Sequence, residues 1–424
     1  MPRVIITSYG STGDLNPFLA IGAALRDRGH AVTFAVEDSF APAVTALDFP
    51  THRLSGDMEA DLLPYQRAMF GGGSPFASVG AIVNHYIAPH LRARIEELRA
   101  ACEGADLLLS SASQMAARAV AELTGIPWIS VALSPTFASR YLVPQPQAFE
   151  LPALLQHTAN RIGWSLGNAA LRRIVDRPIN AARAELGLPP GRDLLSYGSL
   201  SRAYTAVAVS PGFAPRPPDW PTYVRVTGFC FWDTPSAWRE PPELAALLDG
   251  ARPVVAVSAG SMAPSVLRQF VDFFTASVAA IRSLGARALV IGAEPESLPE
   301  IARESETLVL PFAPFSSVYP RCAAVIHHGG IGTLAQALRA GVPSLVVPWG
   351  ADQFFTAGQV ARIGAGRWLR RRGYTAERAR RALDALLNDT GYRQRTRAIA
   401  EQIASEDGPG VICAAVERVL QSGR

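Results

Sequence analysis

Residues 323–366, AAVIHHGGIGTLAQALRAGVPSLVVPWGADQFFTAGQVARIGAG, decide the fold. The run 323–326 is short and wholly apolar, as expected of a strand buried in a parallel sheet. His327 and His328 follow, then a loop with Gly329, Gly330 and Gly332 that leads into a helical pattern over 333–339. A strand, a glycine loop and a helix start make an anion site. Free N–H groups and the positive end of the helix dipole converge there, and glycines let a phosphate approach the backbone. A second strand is expected at 344–347, with Asp352 and Gln353 beyond its C-terminal end. That edge is where open α/β sheets bind ligands. A diphosphate on the helix start and a polyol on the Asp-Gln pair together describe a nucleotide sugar.

The same theme opens the chain. Residues 4–8 are strand-like, residues 10–14 (GSTGD) form a tight loop, and Pro17 is expected to open a helix with Phe18, Ile21 and Leu25 on one face. A strand at 31–36 completes half of a Rossmann-like unit. Later strands are expected at 106–110 and 128–133, around a helix at 114–123. Between Phe49 and Gly80 the pattern breaks, and Gly71 to Gly73 with Met58, Met69, Phe70 and Phe76 suggest a mobile, apolar-lined loop. Residues 134–203 read as irregular, with helical pieces across 151–174.

Two proline-rich stretches, 211–221 and 235–242, have no periodicity, and the linker is placed at 221–242. Beyond it the β-loop-α pattern restarts with a strand at 254–257, the loop 258–261 (SAGS), a helix at 266–284, and strands at 288–291 and 307–310. The expected plan is a Rossmann-like domain over 1–220, a second over 243–405 facing it across a cleft, and a final helix in 406–424.

Composition excludes more than it selects. With 424 residues, 49% of them hydrophobic, the chain can bury large cores and is not a disordered protein. A net charge of +4 is small for this length, and so weak a basic balance does not predict a nucleic-acid partner. No run of 18 apolar residues and no cleavable leader is seen, and the four cysteines form no CxxC pair, so a cytoplasmic setting without structural zinc is expected. Asp57 and Glu59 resemble a metal-binding carboxylate pair only superficially, because no strand precedes them. His30, after a helix-ending glycine, reads as decoration of a helix terminus. Arg161, Arg172 and Arg173 with Trp164 and Ile174 offer either a weak membrane-surface contact or an ordinary exposed helix.

The HHGGxGT loop with its downstream DQ, and GDLNP near the start, resemble the signature of family 1 glycosyltransferases. These are inverting enzymes of the two-domain GT-B fold. The flavour is that of bacterial members acting on antibiotics, sterols or rhamnolipids. The resemblance covers both halves of the chain and implies that the C-terminal helix crosses back to the N-terminal domain. It gives His328 a contact to the donor diphosphate, which Gly13, Gly260, Ser261, Gly330, Gly332 and Thr333 would share. Asp352 and Gln353 would bind sugar hydroxyls. Phe312 stands where plant relatives carry a Trp that stacks on the base. Asp14 aligns with the catalytic His of plant relatives and would be the base, while Ser111 stands where those relatives have an orienting Asp.

Each residue also has a plain structural reading. Asp14 and Asp352 suit helix N-caps, Gly260-Ser261 suits an ordinary turn, and His327 alternates to the far face of its strand. A free Asp titrates near ~3.9, weak for a base unless burial raises it. Phe70, Phe76, His85 and Ser134 are candidates for the acceptor pocket. The sequence thus predicts a metal-independent glycosyltransferase without a resident cofactor, monomer or homodimer, moving sugar from a UDP- or dTDP-sugar to a hydroxyl of a lipophilic small molecule. A GT-B epimerase of UDP-sugars and a non-catalytic sugar-nucleotide binder are the alternatives. A Rossmann dehydrogenase would need a third glycine after Gly10 and Gly13 that the sequence lacks.

Overall fold

Runs such as Val4-Ile5-Ile6 and Leu107-Leu108-Leu109 have no polar member, and they become strands buried on both faces. The computed structural model describes residues 1–57, 75–144, 152–233, 238–260, 271–298 and 306–422. The chain divides into two units, Met1–Trp232 with Asp407–Arg424, and Asp233–Glu406.

The first unit holds seven parallel strands: β1 (Arg3–Thr7), β2 (Ala31–Val36), β3 (Thr51–Arg53), β4 (Leu107–Ser111), β5 (Trp128–Ala132), β6 (Tyr204–Val207) and β7 (Val224–Val226). Their spatial order is β3-β2-β1-β4-β5-β6-β7. The chain winds outward from β1 in one direction, then returns to lay β4 on its other side. Side chains alternate between faces. Val4, Ile6, Leu107, Leu109 and Ile129 meet Leu15, Phe18, Ile21 and Leu25 of the helix Thr12–Asp27. Ile5 and Leu108 meet Leu91, Ile95 and Leu98 of the helix Ala88–Ala101. Each such side chain taken from water contributes about 1.5–3 kcal/mol.

The second unit holds six parallel strands: β8 (Val254–Ser258), β9 (Arg287–Ile291), β10 (Thr307–Leu310), β11 (Ala324–His327), β12 (Ser344–Val346) and β13 (Gly366–Trp368). Their order is β10-β9-β8-β11-β12-β13, again wound outward from a central pair. Both sheets match the α/β, GT-B class expected from the sequence.

Several local expectations are corrected. The first helix starts at Thr12, not at Pro17, because Ser11 takes the N-cap position and Asp14 reaches back to it from the first turn. Pro17 lies inside the helix, where its missing N–H leaves the Gly13 carbonyl without its usual partner. Residues 221–232 belong to the first unit, with β7 as its edge strand, where the sequence suggested linker. Strands β3, β6, β7 and β13 have three or four residues each, too few for a periodic signal. His30 is buried, with Nε2 3.6 Å from the Glu417 carboxylate, rather than ornamental. The reading of a mobile loop around Met58, Met69, Phe70 and Gly71 to Gly73 lies outside the described residues.

The helix Gly408–Ser422 packs in the first unit. Ile412, Cys413, Ala415 and Val416 complete the core on the Phe18 side of the sheet, and Glu417 pairs with Arg28 at 3.3 Å. Ile412 is fully buried. Ile412→Ala should therefore lower the unfolding free energy by about 2–5 kcal/mol in urea titration. A loss below about 1 kcal/mol would mean the helix is not part of that core.

Candidate functional site

In the second unit the two central strands end side by side, with His327 in register with Ser258. The loops that leave them carry most of the expected donor-binding residues. Gly260 has φ +69°, open to glycine and strained for other residues. A Cβ there would stand 2.7 Å from His328 Cε1, and one on Gly330 would stand 2.5 Å from His328 Nε2. Two glycines thus pinch one edge of the imidazole, and Thr333 Oγ1 lies 3.5 Å from the Gly260 Cβ position.

Gly330 is the N-cap of the helix Ile331–Arg339, so the first-turn N–H groups have no partner within the helix. Thr333 sits in that turn and does not cap it, so its buried hydroxyl belongs to the loop junction. A Cβ on Gly332 would meet no protein atom within 4 Å. The protein alone therefore makes no steric demand for glycine there, whereas an anion lying on the helix start would. Ser261 lies outside the described residues.

Burial drives the His328 imidazole down to about 4, with the Ser258 backbone acting weakly the other way. At neutral pH it is uncharged and offers an anion a hydrogen bond, not a full charge. His327 is buried and pushed down to about 3, first by burial and then by His328. Its Nδ1 accepts from Gly329 N at 3.1 Å, so it shapes the loop from the other side.

Asp352 holds the N-cap position of the helix Gln353–Arg362, but its side chain makes no capping bond, and it is half-buried. Gln353 is buried, and its Oε1 accepts from Trp349 N at 2.8 Å and Gly350 N at 3.1 Å. The amide oxygen is committed to the protein, which leaves the Nε2 hydrogens as the group suited to a ligand. Between them Ala351 carries φ +48°, a strained backbone at a ligand-type edge. Trp349, which sequence reasoning missed, lies with its ring 5.8 Å from that of His328 and edge-on to Phe273 at 5.3 Å. Its place in PWGADQ, four residues before Gln353, was the available signal. Phe312 is 57% exposed beyond the end of β10, the edge strand, so its ring is open to a stacking partner.

In the first unit, the helix that follows β1 carries Asp14 in its first turn. Its Oδ2 accepts from Ser11 N at 2.7 Å and Ser11 Oγ at 3.0 Å, while its carbonyl accepts from Ser8 Oγ at 3.0 Å. The fit is tight. A Cβ on Gly10, at φ +144°, would stand 2.3 Å from Asp14 Oδ2. Burial raises the Asp14 carboxyl above its ordinary value, and the two Ser11 bonds only partly offset this. The residue is half-buried and not sealed off from solvent.

Ser111 bonds Ser113, whose hydroxyl donates to Tyr9 O at 2.9 Å. Gly13 is exposed in the first turn of the helix. The acceptor candidates are not gathered into one pocket. Phe76 lines a groove of about 630 Å³ with Asn84, Arg173 and Arg177; His85 is exposed on a π-helical turn; Ser134 follows β5, its hydroxyl buried; Phe70 lies outside the described residues. Among the described residues no group of three or more His, Cys, Asp or Glu could hold a metal, and no helix is long and apolar enough to cross a membrane.

Comparison with known proteins agrees with this layout. The family model "Glycosyltransferase family 28 N-terminal domain" matches residues 4–143, and "Erythromycin biosynthesis protein CIII-like, C-terminal domain" matches residues 288–419. Among solved structures, the chain is similar over 99% of its length to the glycotransferase of kitacinnamycin (TM-score 0.73, 22% identity, 100% of that chain covered). It is likewise similar to glycosyltransferase VinC in complex with dTDP (TM-score 0.70, 20% identity, 100% covered). Fold and site together define a two-domain α/β glycosyltransferase.

Among curated proteins, O-mycaminosyltylonolide 6-deoxyallosyltransferase of Streptomyces fradiae is 30% identical over 98% of this chain and 97% of its own. A sterol 3-beta-glucosyltransferase of Leptosphaeria maculans is 29% identical over 99% of this chain, which spans 29% of that protein. The chain belongs to the family 1 GT-B glycosyltransferases.

Because the pinch on His328 is steric, Gly330→Ala should displace the imidazole without unfolding the protein. Calorimetric titration with dTDP and UDP should show at least about tenfold weaker binding of whichever nucleotide the wild type prefers. Unchanged affinity would remove His328 from the nucleotide site.

Proposed function

We propose that this chain is an inverting glycosyltransferase that moves a sugar from a UDP- or dTDP-sugar to a hydroxyl of a lipophilic small molecule, with Asp14 as general base. The observation that carries the proposal is the setting of Asp14: half-buried in the first turn of its helix, with Oδ2 held by Ser11 N and Oγ, where burial raises its carboxyl. A carboxylate with ordinary affinity for protons is a poor base towards a hydroxyl, and a raised pKa strengthens it.

The acceptor O–H gives its proton to Asp14 while its oxygen attacks the anomeric carbon. The bond from that carbon to the diphosphate breaks, the electron pair leaves with the diphosphate, and the anomeric configuration inverts. The second unit's helix start at Gly330, with neutral His328 beside it, stabilises the charge that develops on the leaving group through preorganised N–H donors. Asp352 and the Gln353 amide hydrogens suit the sugar hydroxyls, and Phe312 suits the base. A solved neighbour in complex with dTDP and a relative named as a 6-deoxyallosyltransferase favour a dTDP-deoxysugar, and relatives named as sterol glucosyltransferases favour a glucose donor; the proposal covers both.

Asp14→Asn keeps an oxygen for Ser11 but cannot accept the proton. It should cut kcat by about 10²–10⁴-fold with KM for the donor little changed. The folded carboxyl titrates above its unfolded value, so its ionised form is the one the fold disfavours, and any stability lost to it is lost as pH rises towards the folded pKa. On charge grounds the Asn variant should therefore melt no lower than wild type at pH 7. In the wild type, kcat/KM should rise with pH through an apparent pKa above 3.8. Full turnover by Asp14→Asn would defeat the assignment.

A further inference from the structure

The gap between the ends of β1 and β4 holds a second set of groups that the reaction as described does not use. Arg94, on the helix Ala88–Ala101, is 4% exposed and reaches the segments that follow β1, β2 and β3. Its Nη2 donates to Glu37 Oε1 at 2.8 Å, to Gly56 O at 2.9 Å and to Ser55 O, and its guanidinium carbon lies 4.6 Å from the centre of the Tyr9 ring. Glu37 is fully buried, so the pair is internally neutral.

Two donors are left over. Arg94 Nη1 and the Tyr9 hydroxyl are buried without a partner among the described residues. Tyr9 and Arg94 are among the residues, with Tyr86, Leu91, Ser113 and Gln114, that line a cavity of about 10 Å³, room for one oxygen-sized group. Gln114 is itself tied down, donating from Nε2 to Thr7 Oγ1 at 3.1 Å. Burial pushes the Tyr9 phenol up to about 12, so it stays a donor across the working pH range.

A buried donor without an acceptor is costly, and two of them on residues that line one void call for a group with two lone pairs and no hydrogen. A carboxylate would bring a charge that Glu37 has already balanced. A carbonyl oxygen fits on both counts. The void also lies in the strand-end gap where α/β sheets bind ligands, and Tyr9 is followed directly by the Gly10 to Asp14 loop. We infer that Tyr9 and Arg94 form a subsite for a carbonyl oxygen of the acceptor, anchoring it so that one hydroxyl is presented to Asp14. This rests on the transferase reading above.

The test uses two acceptor pairs that differ only in an unconjugated ketone: 4-(4-hydroxyphenyl)butan-2-one against 4-butylphenol, and estrone against 17-deoxyestrone. Initial rates would be measured with UDP-glucose and dTDP-glucose on wild type, Tyr9→Phe and Arg94→Lys, with melting curves confirming that each variant is folded. The wild type should favour the ketone members by about tenfold in kcat/KM, mainly through KM, as one or two hydrogen bonds replace those of a displaced water. Either substitution should shrink that preference towards unity. Tyr9→Phe, which removes one oxygen atom and keeps the ring over Arg94, gives the answer if Arg94→Lys fails to fold. Equal rates for both members in wild type, or an equal loss on both members in Tyr9→Phe, would mean that the void holds only a water and would overturn the subsite. A wild type that glycosylates no member with either donor would instead tell against the proposed function, transfer from a UDP- or dTDP-sugar to a lipophilic hydroxyl, and not against the family to which the chain belongs.

Discussion

A parallel sheet wound outward from its middle must leave one place where neighbouring strands send their connections in opposite directions. No crossover covers that place, so it stays open as a gap above the strand ends. In the first unit it falls between β1 and β4, and in the second between β8 and β11. Asp14, Tyr9 and Gln114 edge the first gap, and Gly260, His328 and Gly330 edge the second. The proposed chemistry is placed at these two interruptions in otherwise continuous packing. Most of the remaining buried strand residues are apolar, and the buried hydroxyls among them find partners within the sheet, as Ser130 does with Thr205.

Each gap is kept narrow by glycine in the same way. Gly10 lets Asp14 fold back onto the Ser11 backbone, and Gly260 and Gly330 make room for the Cε1–Nε2 edge of the His328 ring between two loops. In each case a methyl group would take the place of the functional side chain. The polar groups are thereby held by close approach as well as by hydrogen bonds, and they need little reorganisation when charge develops nearby. Burial then sets their protonation. It raises the Asp14 carboxyl and lowers the His328 imidazole, which suits the first to accept a proton and keeps the second neutral.

What could be read from the sequence was local. His328, Gly330 and Thr333 lie within six residues of one another, and a strand, a glycine loop and a helix are each visible at that range. Asp14 was visible for the same reason, although the start of its helix was misplaced by five residues because Pro17 was the louder signal. The Arg94–Glu37 pair was invisible, since its members are far apart in the chain and each alone looks like a surface charge. His30 was misread for a related reason, as its burial depends on Glu417 from the last helix. Edge strands such as β7 and β13 were missed because three residues cannot display a period of two. The commitment of Gln353 Oε1 to Trp349 and Gly350 needed three-dimensional geometry to be seen.

The last helix closes the core against the first one, yet residues 233–406 are made between the two. At ribosomal speeds of about 5–20 residues per second, the apolar faces of Phe18 and Ile21 wait on the order of ten seconds or more for Ile412 and Val416 to emerge. The nascent N-terminal half therefore spends that interval with an uncovered oily face. A chaperone that shields it, or slow translation that lengthens the wait, would change the yield of active enzyme without altering a single contact in the finished molecule.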